Sequence, residues 1–332
     1  MKKIIEKNER IFIAGSNGMV GSSIKRALLK NPFNQVNKFL NLLTPSRLEL
    51  DLLDSISVKN WFAKEKPNIV ILAAAKVGGI HANSKYPTEF LLENIKIQTN
   101  IIEAALKEGV RRLLFLGSSC IYPKYAIQPI KEEELMNGSL EKTNESYAIA
   151  KITGIKLCEA LRNQYNFDSI SLMPTNLYGP NDNYHPLNSH VVPSLIRKFS
   201  IAKRDNLSSV TCWGSGLVCR ELMHVDDLAE AAIFCLENWF PSDIGAPKDN
   251  SGNPLNYLNV GTGKDISIKE LAKKIAEIVK FDGEIFWDKN MPDGTPRKVL
   301  DISRLKKLGW ESKIDLNSGL ANTINALDVN DF

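Results

Sequence analysis

The sequence predicts an α/β fold, a doubly wound parallel sheet with helices on both faces, joined to a smaller, mixed α/β C-terminal domain. Three observations predict it. Short β-branched runs alternate with helical spacings, a glycine cluster follows the first strand, and the alternation gives way after residue 176 to a loop-rich stretch.

Arg10–Ala14 is a β-branched and aromatic run; glycines follow, then apolar residues at helical spacing over 20–30, which reads as strand, tight turn, helix. Residues 68–73 form an apolar strand, 90–106 a long helix closed by Gly109, and 111–116 another buried strand. Helical spacing returns over 147–165, followed by a strand at 169–173. Such alternation implies parallel strands linked by right-handed crossovers. Residues 178–189 are crowded with Gly, Pro, Asn, Asp and His, a composition that makes loops and often touches ligands. A helix over 224–236, beginning behind Asp226, and a last short strand at 257–260 return the chain to the first domain. Residues beyond Gly261, with a helix at 267–279, belong to the smaller one, and 242–254 is a surface insertion. The expected division is 1–176 plus 224–260 against 177–223 plus 261–332.

A chain of 332 residues, 43% hydrophobic, can bury one sizeable core and a second smaller one. Its 42 basic and 38 acidic residues leave a net charge of only +4, spread along the chain, so nucleic acid is not an expected partner. No apolar run reaches the roughly 18 residues that span a bilayer, and the opening MKKIIEKNER is charged where a signal peptide is apolar, so no membrane partner and a cytoplasmic location are expected. Five cysteines without a C-x-x-C pair fit reduced thiols, neither a disulfide scaffold nor a metal site.

Gly15-x-x-Gly18-x-x-Gly21 lies between the first strand and its helix. Glycines there let the backbone turn tightly and bring a pyrophosphate against the free N–H groups of the helix N-terminus. After the second strand, near Leu43, NAD-preferring sites carry an acidic residue; here Thr44-Pro45-Ser46-Arg47 follows, and Arg47 favours the 2′-phosphate of NADP(H). Tyr147-x-x-x-Lys151 puts a phenol and an ammonium one helical turn apart, and the ammonium is expected to lower the phenol's pKa. Ser118, at a strand end, adds a hydrogen bond to a substrate carbonyl.

Glycine loop, strand-end serine and Y-x-x-x-K in this order resemble the extended short-chain dehydrogenase/reductase family, built on the Rossmann fold. Within it the chain is similar to the branch that converts GDP-4-keto-6-deoxy-D-mannose to GDP-L-fucose. The similarity is carried by residues 13–22, 72–81, 114–124, 144–159, 173–181, 188–194, 213–227 and 292–299. It implies Ser118, Tyr147 and Lys151 as the reductase triad, and Cys120 and His190 as an acid/base pair for epimerisation. For the cofactor, NADP(H), it implies Gly15, Ser16, Asn17, Gly18, Met19, Val20 and Gly21. It adds Leu116, Gly117, Ser118 and Ser119, with Lys151, Pro174, Thr175, Asn176, Leu177 and His190. For the sugar nucleotide it implies Lys198, Trp213, Arg220 and Asp293; Arg297 is a further candidate from charge alone. Family members often carry arginine where this chain has Asn17 and Lys198.

The chemistry accounts for the extra pair. A C4 ketone acidifies the protons on C3 and C5, so a base can remove each and an acid can return it to the opposite face. Cys120 suits the base if positive potential stabilises its thiolate, and His190 suits the acid. The resemblance also implies a homodimer built on the helices at 90–106 and 147–165. A C4 reductase, or an epimerase/reductase of a GDP-6-deoxy-heptose, would share the triad and glycine loop. A 4,6-dehydratase would carry an acidic residue after the serine, where this chain has Ser119-Cys120, and a redox-sensing module would lack Tyr147 or Lys151.

Overall fold

The computed structural model describes Ile5, residues 9–30 and residues 41–327; most of the charged opening segment lies outside these. The chain runs β1 (Arg10–Ala14), α1 (Met19–Lys30), β2 (Asn41–Leu43), α2 (Ser55–Glu65), β3 (Ile69–Leu72), α3 (Ile80–Lys85), α4 (Pro87–Lys107), β4 (Arg112–Leu116), α5 (Glu145–Tyr165) and β5 (Ser169–Pro174). It continues through β6 (Asn176–Tyr178), α6 (Val191–Arg204), β7 (Ser209–Trp213), β8 (Cys219–His224), α7 (Val225–Asn238) and β9 (Tyr257–Val260). The last elements are β10 (Asp265–Ser267), α8 (Ile268–Val279), β11 (Glu284–Asp288), β12 (Arg297–Lys298), α9 (Ser303–Leu308) and α10 (Leu316–Asn325).

Six strands form one parallel sheet in the order β2-β1-β3-β4-β5-β9. β3 and β4 are buried along their whole length, as parallel strands covered on both faces must be. One face packs against α1, α7 and α9 through Ile24, Leu228, Leu236 and Leu305. The other packs against α2, α4 and α5 through Phe62, Ile101, Ile102 and Ile155. The expected doubly wound sheet is therefore present. Its order reverses between β1 and β3, and the carboxyl ends of those two strands open the crevice where such sheets hold ligands.

The remaining strands build smaller sheets. β8 pairs antiparallel with β10 and parallel with β12 and β6, while β7 and β11 form a parallel pair. A third core of Leu195, Ile196, Phe199, Leu271 and Ile275 lies under α6 and α8. Helix α8 is strongly amphipathic and opens on a capping box, Ser267 with Glu270. Leu300, Ile302, Leu305 and Trp310 lie in the cores flanking the large sheet, although they follow the small sheets in the chain. Helix α7 begins two residues earlier than a start behind Asp226 would give: its cap is His224, whose Nδ1 accepts from the Asp226 amide at 3.2 Å. Asp226 sits inside the first turn, where a carboxylate is favoured, and pairs with Arg26 at 2.7 Å.

Glu221, fully buried on β8, binds the crossing point of these parts. Its Oε1 accepts from the Thr262 and Gly263 amides at 2.6 and 2.7 Å, and its Oε2 from the Leu300 amide at 2.7 Å. Its backbone carbonyl accepts from Thr175 Oγ1 and Asn176 Nδ2. Three chain segments that leave or rejoin the large sheet thus meet at one residue. A Cβ on Gly261 would sit 2.0 Å from Glu221 Oε1, so only glycine lets the strand pass. Glu221→Gln puts a donor where amides require an acceptor and is expected to lower unfolding free energy by about 1–3 kcal/mol. An unchanged urea midpoint would show that the carboxylate does not hold the segments together.

Candidate active site

One cavity of about 1070 Å³ opens at the carboxyl ends of the parallel strands and extends under the smaller sheets. Ordinary ligand pockets span about 300–1,000 Å³, so this one has room for two sizeable ligands. Every residue expected at the site from the sequence lines it, with one exception, Arg297.

At one end β1 delivers the glycine turn. Gly15 has φ +83°, and a Cβ there would lie 2.8 Å from the Ala74 backbone; a Cβ on Gly21 would lie 2.1 Å from the Gly15 carbonyl oxygen. The turn therefore accepts only glycine at both places and leaves the first amides of α1 free for an anion. Ser16 Oγ is buried there without a protein partner. Asn17, Gly18, Met19 and Val20 complete the turn, and Pro45 and Arg47 line the cavity where β2 ends. Leu116, Gly117 and Ser119 come from the end of β4, and Pro174, Thr175, Asn176 and Leu177 from the end of β5. An unpartnered hydroxyl, a glycine turn that admits no Cβ and an arginine beyond β2 fit a 2′-phosphorylated dinucleotide. Residues Asp51, Leu52 and Ala73 to Ala75, which the motif reading passed over, also line this end. The rule that ligands meet strand ends could have found the alanines, which close β3.

At the centre Ser118 caps a short turn, accepting from the Cys120 amide at 3.2 Å, so that serine and cysteine both face the cavity. Tyr147 stands near the start of α5, its ring 6.3 Å edge-on from Phe90. Burial pushes its phenol well above the usual range, the neighbouring Cys120 adds to this, and a hydrogen bond from Ser118 opposes both. The expected lowering by Lys151 is absent. Lys151 Nζ instead donates to the Leu116 carbonyl at 2.7 Å, 5.9 Å from the Tyr147 ring centre, and burial lowers its pKa to about 7. Helical spacing brings the two residues to one face, but it does not decide which acceptor the ammonium takes.

His190 is the cap residue of α6 and makes no capping bond with its side chain. The loop before it is held by the Gly79 amide, which donates to the Asn188 carbonyl at 2.8 Å; a Cβ on Gly79 would lie 2.3 Å from the Ser189 carbonyl oxygen. His190 is exposed by surface area and lines the cavity, with protein packed around the ring. Surrounding protein, and then Lys298, push its pKa down to about 4. Cys120 and His190 thus line one chamber with Ser118, Tyr147 and Lys151.

At the far end Lys198 Nζ donates to the Thr211 carbonyl at 2.8 Å and lies 5.3 Å over the Trp213 ring. Arg220 donates to the carbonyls of Cys219 and Asp293 at 2.8 and 3.0 Å, and burial lowers its pKa. Asp293 Oδ1 accepts from the Ser215 amide at 2.8 Å. Arg297 is a correction: it is half-exposed and bound to Asp265 at 2.6 Å, outside the cavity, while its neighbour Lys298 lines it. Side chains alternate along a strand, so on β12 the inward cation is the second of the two. Glu141, Asn144 and Asp182 also line the chamber unforeseen; Asn144 Oδ1 and Asp182 Oδ2 are buried without a partner, and burial raises Asp182 to about 7.

A folded-state pKa of about 4 means that His190 stays neutral as pH falls through the usual histidine midpoint and takes up its proton only near pH 4. In proton NMR of the free protein, the ring signal that vanishes in His190→Gln is expected to stay constant from about pH 8 to 5.5. A midpoint near 6.5 would show that the enclosure does not act on this ring.

Comparison with known proteins places the chain among relatives. The model of the NAD dependent epimerase/dehydratase family matches residues 11–245. A probable GDP-L-fucose synthase 1 of Oryza sativa subsp. japonica is 51% identical over 96% of this chain and 92% of its own length. The GDP-L-fucose synthase of Escherichia coli K12 is 51% identical over 95% of both chains. Among solved structures, the GDP-mannoheptose C4 reductase of Campylobacter jejuni with NADP bound superposes with a TM-score of 0.84, at 35% identity, over 97% of this chain and 99% of that one. With the sheet, the glycine turn and the Tyr147–Lys151 helix in place, the chain belongs to the NAD dependent epimerase/dehydratase family.

Proposed function

We propose that this chain converts GDP-4-keto-6-deoxy-D-mannose to GDP-L-fucose by 3,5-epimerisation and NADPH-dependent 4-reduction. The observation that carries the reading is that Cys120 and His190 line the same chamber as Ser118, Tyr147 and Lys151. The relatives that are half identical over nearly the whole chain and bear the name GDP-L-fucose synthase support it. Residues 1–176 with 224–260 hold the dinucleotide, and residues 177–223 with 261–332 carry the sugar nucleotide.

Bound NADPH would supply the hydride to C4. Lys198 and Arg220 give the chamber cations that a nucleoside diphosphate needs, and Trp213 offers its base or sugar a flat face. Cys120 takes the proton from C3 and from C5, and the electron pair left on carbon is delocalised onto the C4 oxygen. His190 returns a proton to the opposite face. It is neutral in the free protein, so its acid form depends on the entering diphosphate, whose negative charge raises a nearby imidazole's pKa. Tyr147 gives its proton to the C4 oxygen during reduction, with Ser118 as second donor. The high phenol pKa keeps that proton in place until charge develops on the oxygen.

Two copies pair through α4 and α5, on which Leu92 and Ile149 remain exposed. The protein works in the cytoplasm, a reading supported by five free thiols. The likeness to the heptose C4 reductase favours a second reading, reduction of a GDP-6-deoxy-heptose without epimerisation. Deuterated water separates the two. With GDP-4-keto-6-deoxymannose and NADPH, the product is expected to carry deuterium at C3 and C5; reduction without exchange would leave a plain reductase. Cys120→Ser is expected to lower product formation by about 10²-fold or more with NADPH binding kept. Undiminished turnover would remove Cys120 from the mechanism.

A further inference from the structure

We propose that Lys298 is the positioning residue of the epimerase chemistry: its ammonium holds Cys120 as the thiolate that abstracts the substrate's protons. This rests on the reading of Cys120 as the base. Lys298 Nζ lies 3.7 Å from Cys120 Sγ. A thiol of ordinary pKa, about 8.5, is almost wholly protonated at neutral pH, so a cysteine base needs a cation at this range.

The lysine's place is built rather than incidental. β12 runs parallel to β8 with Lys298 opposite Arg220. Beyond it the backbone is stitched on both sides: Val299 N donates to Gln128 Oε1 at 2.9 Å, Ile130 N to the Val299 carbonyl at 2.8 Å, and Leu300 N to Glu221 Oε2 at 2.7 Å. The segment that carries Lys298 is thereby tied to the loop that follows Cys120. Strand alternation sends Arg297 outward to Asp265 and leaves Lys298 facing the thiol.

Among the other charged and titratable groups around Cys120, Arg220, from β8, is a second cation: it donates to the carbonyls of Cys219 and Asp293, bonds that leave its charge in place, and that charge also acts on Cys120. Glu141, from the loop before α5, is paired with Lys124 at 2.7 Å. Tyr147, from α5, keeps its proton, and His190, at the start of α6, is neutral. Among the described residues, Lys298 has no carboxylate partner, and its charge is directed at the sulfur. In the step itself the C–H bond breaks, an S–H bond forms, and the electron pair passes to the C4 oxygen. No redox change is involved.

The test needs no substrate. Alkylation of the full-length protein by iodoacetamide is followed against pH, and the Cys120 peptide is quantified by mass spectrometry with Cys219 as internal reference. In the unsubstituted protein alkylation of Cys120 is expected to reach its midpoint below about 8.5, the value of a free thiol. Lys298→Met is expected to raise it by at least about one pH unit, a tenfold loss of thiolate at neutral pH, and Lys298→Arg to restore most of the shift. An unmoved midpoint in a folded Lys298→Met protein overturns the proposal. So does a Cys120 midpoint at or above about 8.5 in the unsubstituted protein, which decides the matter even if the variant does not fold. Failure of deuterium exchange would instead strike the epimerase reading and leave the alkylation result standing.

Discussion

Everything at the site depends on three segments meeting at Glu221. One carboxylate, fully buried, accepts amides from the chain just after β9 and from the segment that follows β12, while its carbonyl receives the end of β5. Three backbone donors satisfy the charge that burial would otherwise make costly. As a result β8 is fixed against the large sheet, and the residue before Glu221, Arg220, lines the cavity. The same clasp fixes Leu300, two residues from Lys298. Geometry at the reacting centre is therefore set by polar contacts between strand ends, not by any one of the three hydrophobic cores alone.

Burial governs the titrating groups in this chamber more than neighbouring charge does. It lowers Lys151 to about 7 and His190 to about 4, and it raises Tyr147 and Asp182. Each of these groups sits closer to neutral than it would in water. Such a chamber holds few fixed charges before ligands arrive, and an anionic diphosphate brought beside it changes proton affinities sharply because little water screens it. Preparation for acid and base chemistry at one ketone follows from enclosure.

In the proposed reaction two chemistries share the ketone without separate sites. Ser118 and Cys120 belong to a single turn at the end of β4, with Ser118 capping the Cys120 amide. The phenol comes from α5 and the imidazole from the start of α6, so the groups proposed for reduction and for epimerisation reach one chamber from different elements. The two glycines at 78 and 79 allow the close approach that brings the His190 loop in.

What the sequence by itself determined is local. Strand and helix periods yielded the parallel sheet, the glycine turn marked the pyrophosphate end, and Y-x-x-x-K placed phenol and ammonium on one helical face, because each signal lies within a few residues of chain. Resemblance to a family carried the reading to Cys120, His190, Lys198, Trp213, Arg220 and Asp293, all of which line the cavity. Tertiary structure alone decided the rest. β12 is two residues long, too short for a period to be read, so choosing between Arg297 and Lys298 required its pairing with β8. Lys151 turned to the Leu116 carbonyl, an acceptor 35 positions away in the chain, and the clasp at Glu221 joins residues 41, 42 and 79 positions apart. Contacts of that separation leave no trace in spacing, since they are selected by packing after the elements have formed.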